Sequence, residues 1–295
     1  MVSTRHATFA ERLQARLVSG FYAVSAALPL DLASLIGGTL ARLIGPRLGI
    51  TRRARRNIER ALPELTPAAR ERVIRRMWEN LGRVAAEYGH LTRLKCFGPE
   101  TRVEVLGSDH LDRALASGKP VIFFTGHFGN WEVAGVAAVQ YGLDFAQVYR
   151  AANNPAVEAV MLAFRRSLGG DPISKGAAGA RRIIAALRSG KALAMLVDQK
   201  MNDGIAVPFF GRDAMTAPAL AELGLRYDCA LLPVRVDRTG GAHFRLTVFP
   251  PLELKRSGDR QADIRAVMVD VNTMLAAWIR EQPEQWFWLH NRWPD

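Results

Sequence analysis

Residues 121–132 read VIFFTGHFGNWE, and this stretch decides the fold class. Its apolar start predicts a buried strand, and the residues from Trp131 onward predict a helix. Gly129 allows the tight turn between the two, and Asn130 is a suitable N-cap for the helix. His127 therefore lies at the carboxyl end of a buried strand, which is where ligands bind in open α/β sheets.

The same alternation continues on both sides of this stretch. Apolar runs of strand length alternate with longer amphipathic runs, which indicates an α/β fold with a mainly parallel or mixed sheet flanked by helices. The predicted strands cover residues 102–106, 121–124, 145–149, 192–197, 230–236 and 244–249. The predicted helices cover residues 66–94, 108–117, 131–141, 155–168, 178–188, 217–226 and 264–280.

The two ends of the chain differ in pattern. Residues 1–94 predict a helical N-terminal part, in which Thr66 is the N-cap of the last helix and Pro67 lies in its first turn. Residues 95–295 contain the strand–helix alternation and no linker rich in proline and glycine, so they predict one further domain.

The helical part contains an apolar segment with basic flanks. Residues 17–30 are uncharged but fewer than the roughly 20 that span a bilayer, and the apolar character continues past Asp31. Residues 13–48 therefore predict a membrane anchor whose two ends face anionic cytoplasmic lipid. A tilted span, a pair of interfacial helices and a buried helical hairpin all remain open. The flanking arginines are Arg5, Arg12, Arg16, Arg52, Arg53, Arg55, Arg56 and Arg60.

The composition narrows the class of partner. Hydrophobic residues make up 49% of the chain, which excludes a disordered protein. The formal charge of +12 favours acidic partners such as anionic lipid, phosphorylated substrates, an acidic carrier protein or nucleic acid, although a merely basic surface would give the same excess. Cys96 and Cys229 suggest neither a disulfide framework nor a zinc site, and the six histidines lack paired metal spacing. We expect no metal and no cofactor.

His127 and Glu132 are the predicted catalytic residues. Glu132 falls in the first turn of the predicted helix, and the tight turn can bring its carboxylate back onto the imidazole of His127. A carboxylate on one ring nitrogen fixes the tautomer and makes the other nitrogen a better base. Each residue also has a structural explanation, because helix dipoles favour acids in the first turn and strand-end histidines often hold only a structural hydrogen bond. Their combination within one turn favours catalysis.

The motif HFGNWE contains the His-x4-Glu spacing of glycerolipid acyltransferases and resembles the lipid A biosynthesis acyltransferase family, which includes lauroyl and myristoyl transferases. Further similarities run from about residue 120 to the C-terminus. They are YR at 149–150 with NNP at 153–155, SKG at 174–176, LVDQ at 196–199, VPFFG at 207–211 with Thr216, and WFWLHNRW at 286–293. The phosphate loop EGT of glycerol-phosphate acyltransferases is absent, which argues against a glycerol-3-phosphate acceptor.

The predicted substrate-binding residues are Arg150, Asp198, Lys175 and Asn130. Arg150 follows a strand, and its planar fork suits a phosphate group. Asp198 ends another apolar strand and is expected to pair with Arg150 or to orient the acceptor. A surface arginine, a loop-capping aspartate and a solvated lysine remain the structural alternatives. We expect the aromatic tail to pack in the core or to form an interfacial belt rather than a substrate cradle.

The resemblance implies that residues 95–295 form an acyltransferase domain on the cytoplasmic face of the inner membrane. Its donor would be acyl carrier protein and its acceptor a phosphorylated glycolipid, the Kdo-linked lipid A precursor. His127 would take the proton from the acceptor hydroxyl, which attacks the thioester. Another lipid acceptor, such as a lyso-ornithine lipid or a mannosylated phosphoinositide, would fit the same motifs.

Two other functions remain open. A His–Glu base could give the acyl group to water, although no Gly-x-Ser-x-Gly elbow supports a serine hydrolase. A non-catalytic protein that binds anionic membranes or nucleic acid would use the arginines at 52–60, but it would leave HFGNWE unexplained. We therefore expect a membrane-bound acyltransferase that does not bind nucleic acid.

Overall fold

The structure, a computed structural model, describes residues 7–293, so Arg5 lies outside the described residues. The helices are α1 (Phe9–Ala27), α2 (Leu30–Ile44), α3 (Thr51–Ala61), α4 (Pro67–Glu87), α5 (Ser108–Ala116), α6 (Glu132–Gln140), α7 (Pro155–Ser167), α8 (Ala177–Arg188), α9 (Ala219–Tyr227) and α10 (Arg260–Glu281). The strands are β1 (Val103–Leu106), β2 (Val121–Thr125), β3 (Phe145–Tyr149), β4 (Asp171–Ser174), β5 (Ala192–Leu196), β6 (Lys200–Phe209), β7 (Arg212–Thr216), β8 (Ala230–Gly240) and β9 (His243–Val248). Short 3₁₀ segments cover Gly45–Arg47, Tyr88–Arg93 and Pro283–Gln285.

Seven strands form one sheet in the order β1-β9-β8-β2-β5-β3-β4. Neighbouring strands from β8 to β4 are all parallel, β8 and β9 are antiparallel, and β1 is parallel to β9. The carboxyl ends of five consecutive strands therefore meet at one edge. This arrangement confirms the predicted α/β class with a mainly parallel sheet flanked by helices.

Three elements were not predicted, and each has a physical reason. The strand β4 is short and contains Pro172, which an edge strand tolerates because its N–H side needs no partner. The hairpin of β6 and β7 begins with KMNDG, in which every residue except Met201 has low strand propensity. In α3, the apolar positions Ala54 and Ile58 are completely buried, but five arginines conceal this period in the sequence.

The helix predicted from residue 66 has the expected N-terminus. The Thr66 hydroxyl accepts a hydrogen bond from the backbone N–H of Ala69, and Pro67 is the first helical residue. The helix ends at Glu87, and a 3₁₀ segment continues the chain to Arg93. The prediction is thus confirmed at the N-terminus and differs in the last turns.

The apolar segment near the N-terminus forms two helices rather than one. The break falls at Leu28 and Pro29, because proline lacks the N–H that would continue the helix and constrains the residue before it. Within residues 7–293, none of the helices combines the length and the apolar composition needed to cross a bilayer.

The helices α1 and α2 also expose an unusual amount of apolar surface. On α1 the exposed side chains recur at spacings of three or four residues, and on α2 they form a second stripe. They are Phe9, Leu13, Leu17, Phe21 and Val24 on α1, and Leu32, Leu35, Ile36, Leu40, Leu43 and Ile44 on α2. We call these two sets the exposed apolar stripes.

The opposite side of α2 packs closely on α4. A side chain at Gly37 or Gly82 would clash with the facing backbone, because a Cβ at Gly82 would lie 2.2 Å from the Gly37 carbonyl oxygen. The helix α4 in turn shares one buried core with α3, the sheet, α10 and the C-terminal tryptophans. The division at residue 94 stays a prediction, since the core of the N-terminal part is continuous with that of the sheet.

Candidate active site

Four of the predicted site residues follow four neighbouring strands. His127 follows β2, Asp198 follows β5, Arg150 follows β3, and Lys175 follows β4. The strands β2, β5, β3 and β4 are consecutive in the sheet and parallel, so these residues lie along one edge. Crevices at the carboxyl ends of parallel strands are the usual ligand sites in such sheets.

His127 is held by Asp198. The two atoms His127 Nδ1 and Asp198 Oδ1 are 2.7 Å apart, and the backbone N–H of His127 donates to Asp198 Oδ2 at 2.7 Å. The indole N–H of Trp286 donates to the same Oδ2 at 2.8 Å. Asp198 is completely buried, whereas the side chain of His127 is 12% exposed. The carboxylate therefore fixes the ring from the inside and leaves its other edge towards the solvent.

The charge state of Asp198 follows from these contacts. Burial alone would raise its pKa, but the charge of His127, the hydrogen bonds from His127 and the nearby His290 outweigh burial and hold the pKa well below its usual range. Asp198 is thus an ionised acceptor at neutral pH, and its position beside Nδ1 favours the tautomer of His127 that carries the proton on Nδ1. The Nε2 atom is then free to act as a base.

Glu132 does not occupy the position predicted for it. The carboxylate at His127 Nδ1 is Asp198, and Glu132 instead accepts a hydrogen bond from the indole N–H of Trp131 at 3.1 Å. The reason is local geometry: α6 begins at Glu132, and the side chain of this first helical residue points into the fold, where it is 7% exposed as a residue. Burial raises its pKa, which the charges of Arg165 and His127 and hydrogen bonds from Trp131 and Gln147 oppose. Glu132 is therefore electrostatically coupled to His127 without orienting it.

Asn130 also differs from its predicted roles. The side-chain N–H of Asn130 donates to Glu87 at 2.8 Å, and the residue is completely buried. Trp131, and not Asn130, occupies the N-cap position of α6, and the Trp131 side chain makes no capping hydrogen bond. Asn130 thus connects the turn before α6 to the end of α4. The contact that the structure shows for it is structural, whereas we expected it to bind substrate.

Arg150 and Lys175 supply positive charge along the same edge. Arg150 is exposed and donates to the side chain of Asn153 at 3.3 Å. Burial lowers the pKa of Lys175, the charge of Asp198 raises it, and that of Arg150 lowers it again. Lys175, like Arg150, is exposed, so both cations are accessible to a ligand at this edge of the sheet. Asp198 pairs with His127 rather than with Arg150, which was one of the two expectations for it, and its expected role in orienting the acceptor stays a prediction.

The outer edge of the His127 ring faces three groups that the sequence prediction did not assign to the site. Gln199 Nε2 lies 3.4 Å from His127 Nε2. The rings of Trp131 and Phe287 have centroids 5.0 and 6.0 Å from that of His127. Gln199 belongs to the motif LVDQ and Phe287 to the aromatic tail, so the sequence signals were present.

The aromatic tail is a structural part of the site. The backbone N–H of Phe287 donates to the carbonyl of His127 at 3.0 Å, and a β-bridge joins Trp286 to Phe128. Trp286, Trp288 and Trp293 are among the largest completely buried side chains, in agreement with core packing as one expectation for this tail. The tail therefore both completes the core and fixes the residues next to His127.

His290 is a further titratable residue next to the His127–Asp198 pair, with its ring centroid 6.2 Å from that of His127. Neither of its ring nitrogens has a hydrogen-bond partner, and burial lowers the pKa of His290 to about 3, so the ring is neutral. Ligand atoms of His127, Asp198 and His290 all lie within 4.8 Å of one another. This group is the one that could hold a metal ion within residues 7–293, although the His127–Asp198 hydrogen bond already uses two of its members.

Two narrow apolar cavities extend from the site into the core. The nearer cavity reaches Trp131 and runs between α6 and the strands β2, β3 and β5. The second lies between α6, β8, β9 and α5. Both are lined by Phe123, Ala134 and Val234, so the two cavities adjoin. Together they form an apolar path that begins beside the ring of His127.

The fold and site define a class of α/β proteins in which a carboxylate-paired histidine stands at the carboxyl edge of a parallel sheet, next to an apolar path. The chain belongs to the family described as Bacterial lipid A biosynthesis acyltransferase, which matches residues 4–295. The predicted family resemblance is thereby confirmed.

Several curated proteins resemble the chain over most of its length. It is 24% identical to a lipid A biosynthesis acyltransferase of Haemophilus influenzae over 91% of this chain and 84% of the relative. It is 25% identical to a phosphatidylinositol mannoside acyltransferase of Mycolicibacterium smegmatis, over 90% and 87% of the two chains. It is 27% identical to a lipid A biosynthesis palmitoleoyltransferase of Escherichia coli, over 81% and 77%.

Proposed function

We propose that this protein transfers a fatty acyl chain from a thioester to a hydroxyl group of a membrane lipid, with His127 as the general base. The observation that carries the proposal is the hydrogen bond between His127 Nδ1 and Asp198, because it leaves Nε2 as the unprotonated nitrogen. Family membership supports acyl transfer to a lipid acceptor.

The proposed reaction needs one base and one oxyanion donor. His127 Nε2 takes the proton of the lipid hydroxyl, and the oxygen attacks the thioester carbonyl. The carbonyl oxygen becomes an oxyanion. The side-chain amide of Gln199, whose nitrogen lies 3.4 Å from His127 Nε2, is the proposed donor to this oxyanion. The C–S bond then breaks, and the imidazolium returns its proton to the leaving thiolate. Asp198 stabilises the imidazolium throughout.

Glu132 has a second, electrostatic place in this proposal. Its carboxylate, when ionised, adds negative charge near the imidazolium that forms in the transition state. Because burial raises the pKa of Glu132, the residue gains this charge only as the pH rises through that raised value. Its role is thus to stabilise the imidazolium, while Asp198 orients the ring.

The two substrates would approach from different sides of His127. The apolar path lined by Phe123 and Ala134 suits an acyl chain, since most of its lining side chains are apolar. Arg150 and Lys175 suit a phosphate, through the planar fork and the point charge respectively. A phosphopantetheine arm and a phosphorylated headgroup both carry such a phosphate.

We propose acyl carrier protein as the donor and a phosphorylated lipid A precursor as the acceptor. The formal charge of +12 suits an acidic carrier and an anionic acceptor. A mannosylated phosphoinositide is the alternative acceptor, and the similarity to a phosphatidylinositol mannoside acyltransferase favours its inclusion in any test.

We also propose peripheral attachment to the cytoplasmic face of the inner membrane through residues 13–48. The exposed apolar stripes would enter the lipid interface, and the arginines near them would meet anionic headgroups. Such a position would bring the strand-end site to the boundary between a lipid acceptor and a soluble donor.

The test is a product assay with purified protein, a labelled acyl-carrier thioester, and vesicles that contain one acceptor at a time. Acceptors should include the lipid A precursor, a mannosylated phosphoinositide and a lyso-ornithine lipid. Labelled acyl-lipid is the expected product. Free fatty acid alone would identify a thioesterase, and no turnover of any thioester would contradict the proposed reaction.

A further inference from the structure

A buried ion pair joins the helical N-terminal part to the sheet. The guanidinium of Arg238 on β8 contacts the carboxylate of Glu87 at the end of α4 twice, with Nη1–Oε1 at 2.5 Å and Nη2–Oε2 at 2.9 Å. The side chains are 9% and 2% exposed, respectively. Ser34 on α2 adds a third hydrogen bond to Glu87, at 2.7 Å.

The same pair holds the turn that carries the site. We call residues 127–132 the β2–α6 turn. Glu87 accepts from the side chain of Asn130 at 2.8 Å, and Arg238 Nε donates to Asn80 at 2.8 Å. Asn80 connects Arg238 to the turn, because its side-chain N–H donates to the Gly129 carbonyl at 3.0 Å.

Gln285 closes the network from the other side. Its carbonyl accepts from the backbone N–H of Gly129 at 2.9 Å, and its side chain pairs with both backbone polar groups of Arg238. Gly129 has φ +56°, and a Cβ there would lie 1.9 Å from the Val236 carbonyl oxygen. The turn is therefore fixed on β8 by close approach and on α4 by hydrogen bonds.

Stability alone does not explain this arrangement. The desolvation of a buried ion pair commonly offsets its attraction, and well-packed hydrophobic replacements are often as stable. Connected buried networks instead favour one geometry, because a rearrangement leaves more polar groups without a partner. In this network Asn130 Oδ1 already has none, and the other contacts still fix the turn. The turn they select here places His127 at one end and Glu132 at the other.

We propose that Glu87 and Arg238 are positioning residues for acyl transfer, which act by fixing the β2–α6 turn. This inference rests on the proposed function of His127. It implies that residues 1–94 help to position the active site. Glu87 and Asn80 both belong to this part of the chain, and α2 contributes Ser34 to the network.

The decisive variant removes both charges together. Glu87→Met with Arg238→Met leaves no buried charge alone, so we expect a folded protein with a similar thermal midpoint. We expect kcat to fall about 10- to 100-fold, the effect of misplacing reacting groups by up to an ångström, with KM for both substrates unchanged. A kcat equal to that of the unmodified protein would overturn the proposal.

Two further variants separate positioning from folding. Arg238→Lys keeps the charge and should retain more activity than Arg238→Gln, which keeps only hydrogen bonding. Gln140→Met is the matched control, because Gln140 also ties α6 to the preceding chain, through Leu94 and Cys96, but at the opposite end of the helix. It should lower the thermal midpoint without changing kcat. A loss of kcat equal to that of the double variant would contradict the proposal.

A readout that does not depend on turnover distinguishes this inference from the proposed function. In ¹⁵N-histidine-labelled full-length protein, the Nδ1–H signal of His127 reports its hydrogen bond to Asp198. We expect the signal to shift or to be lost by exchange in the double variant and to remain in Gln140→Met. An unchanged signal in the double variant would refute positioning, whatever reaction the protein catalyses. Absence of acyl transfer by the unmodified protein would instead refute the proposed function.

Discussion

The strand-end site and the α1–α2 pair distribute polar and apolar atoms in opposite ways. At the site, Asp198 is completely buried and accepts hydrogen bonds of 2.7 to 2.8 Å from His127 and Trp286. On α1 and α2, large apolar side chains such as Leu17, Val24 and Leu40 are more than half exposed. One region buries charge, and the other exposes hydrocarbon.

Each exception to ordinary burial has its own physical use. A buried charge costs several kcal/mol unless it is paired, so a residue such as Asp198 persists where a fixed electrostatic geometry matters. An exposed apolar stripe is a liability in water but favourable in a lipid interface. The contrast indicates that catalysis and attachment depend on different residues and can be disrupted separately.

The largest effect should come from His127→Ala. We expect activity to fall about 100- to 10,000-fold, the usual contribution of a general base, while vesicle binding is unchanged. Initial rates with acyl-carrier thioester and vesicle-borne acceptor measure the first, and co-sedimentation measures the second. Near-normal turnover would exclude His127 as the base.

Asp198→Asn should be the next most damaging change. The amide cannot act as the ionised acceptor that holds the proton on His127 Nδ1, so the wrong tautomer becomes populated and activity falls about 100-fold or more. The far-ultraviolet circular dichroism spectrum serves as the control for folding. A loss of less than about threefold would show that Asp198 orients the ring without affecting its basicity.

Glu132 should show its effect in the pH profile. Burial raises its pKa, so the carboxylate is ionised only at a pH above that raised value, and activity should fall as the pH drops through it. In Glu132→Gln this acid limb should flatten, and the rate on the alkaline side should fall about tenfold as the nearby negative charge is lost. An acid limb identical in both proteins would show that Glu132 is not the group that produces it.

The sequence predicted the framework of the site better than its contacts. Strand ends are readable, because apolar runs stop at Thr125, Tyr149 and Leu196, and parallel pairing then brings the following residues to one edge. Which carboxylate meets His127 is not readable. It depends on whether the first side chain of α6 points inward, and tertiary packing against Trp131 and Gln147 decides that.

The network around Glu87 was likewise beyond prediction. Its members come from α2, α4, the β2–α6 turn, β8 and the segment before the tail, so only the folded chain brings them together. The break between α1 and α2, by contrast, has a local signal in Pro29, which disfavours a continuous helix but does not by itself exclude one.

Leu17→Glu with Phe21→Glu tests the other side of the comparison. Both side chains are exposed on α1, so the change should not disturb the core. Each loses a burial contribution of about 1.5–3 kcal/mol in the lipid interface, so vesicle binding should weaken at least tenfold. Rates on detergent-dispersed acceptor should stay normal.

The control is the variant Leu106→Glu with Leu115→Glu, which changes two exposed apolar side chains outside α1 and α2. That protein should bind vesicles normally. If both variants bind as tightly as the unmodified protein, the exposed apolar stripes are not the anchor, and the basic helices α3 and α4 become the next candidates.

The smallest effect we predict is at Arg150, where the site meets its substrates. Arg150 is exposed, and its hydrogen bond to Asn153 is long, so its loss should not affect folding. If its planar fork binds a phosphate, Arg150→Ala should raise KM about tenfold, and Arg150→Lys should raise it less, because lysine keeps the charge but loses the fork. Measuring KM separately for the carrier thioester and for the acceptor identifies which phosphate is bound.

The matched control is Arg182→Ala. Arg182 is also exposed but is paired with Asp171 on the edge strand, so this variant should leave both KM values unchanged. Equal KM values for Arg150→Ala and the unmodified protein would remove Arg150 from the substrate site and leave Lys175, the other exposed cation that follows a strand at this edge, as the phosphate ligand to test.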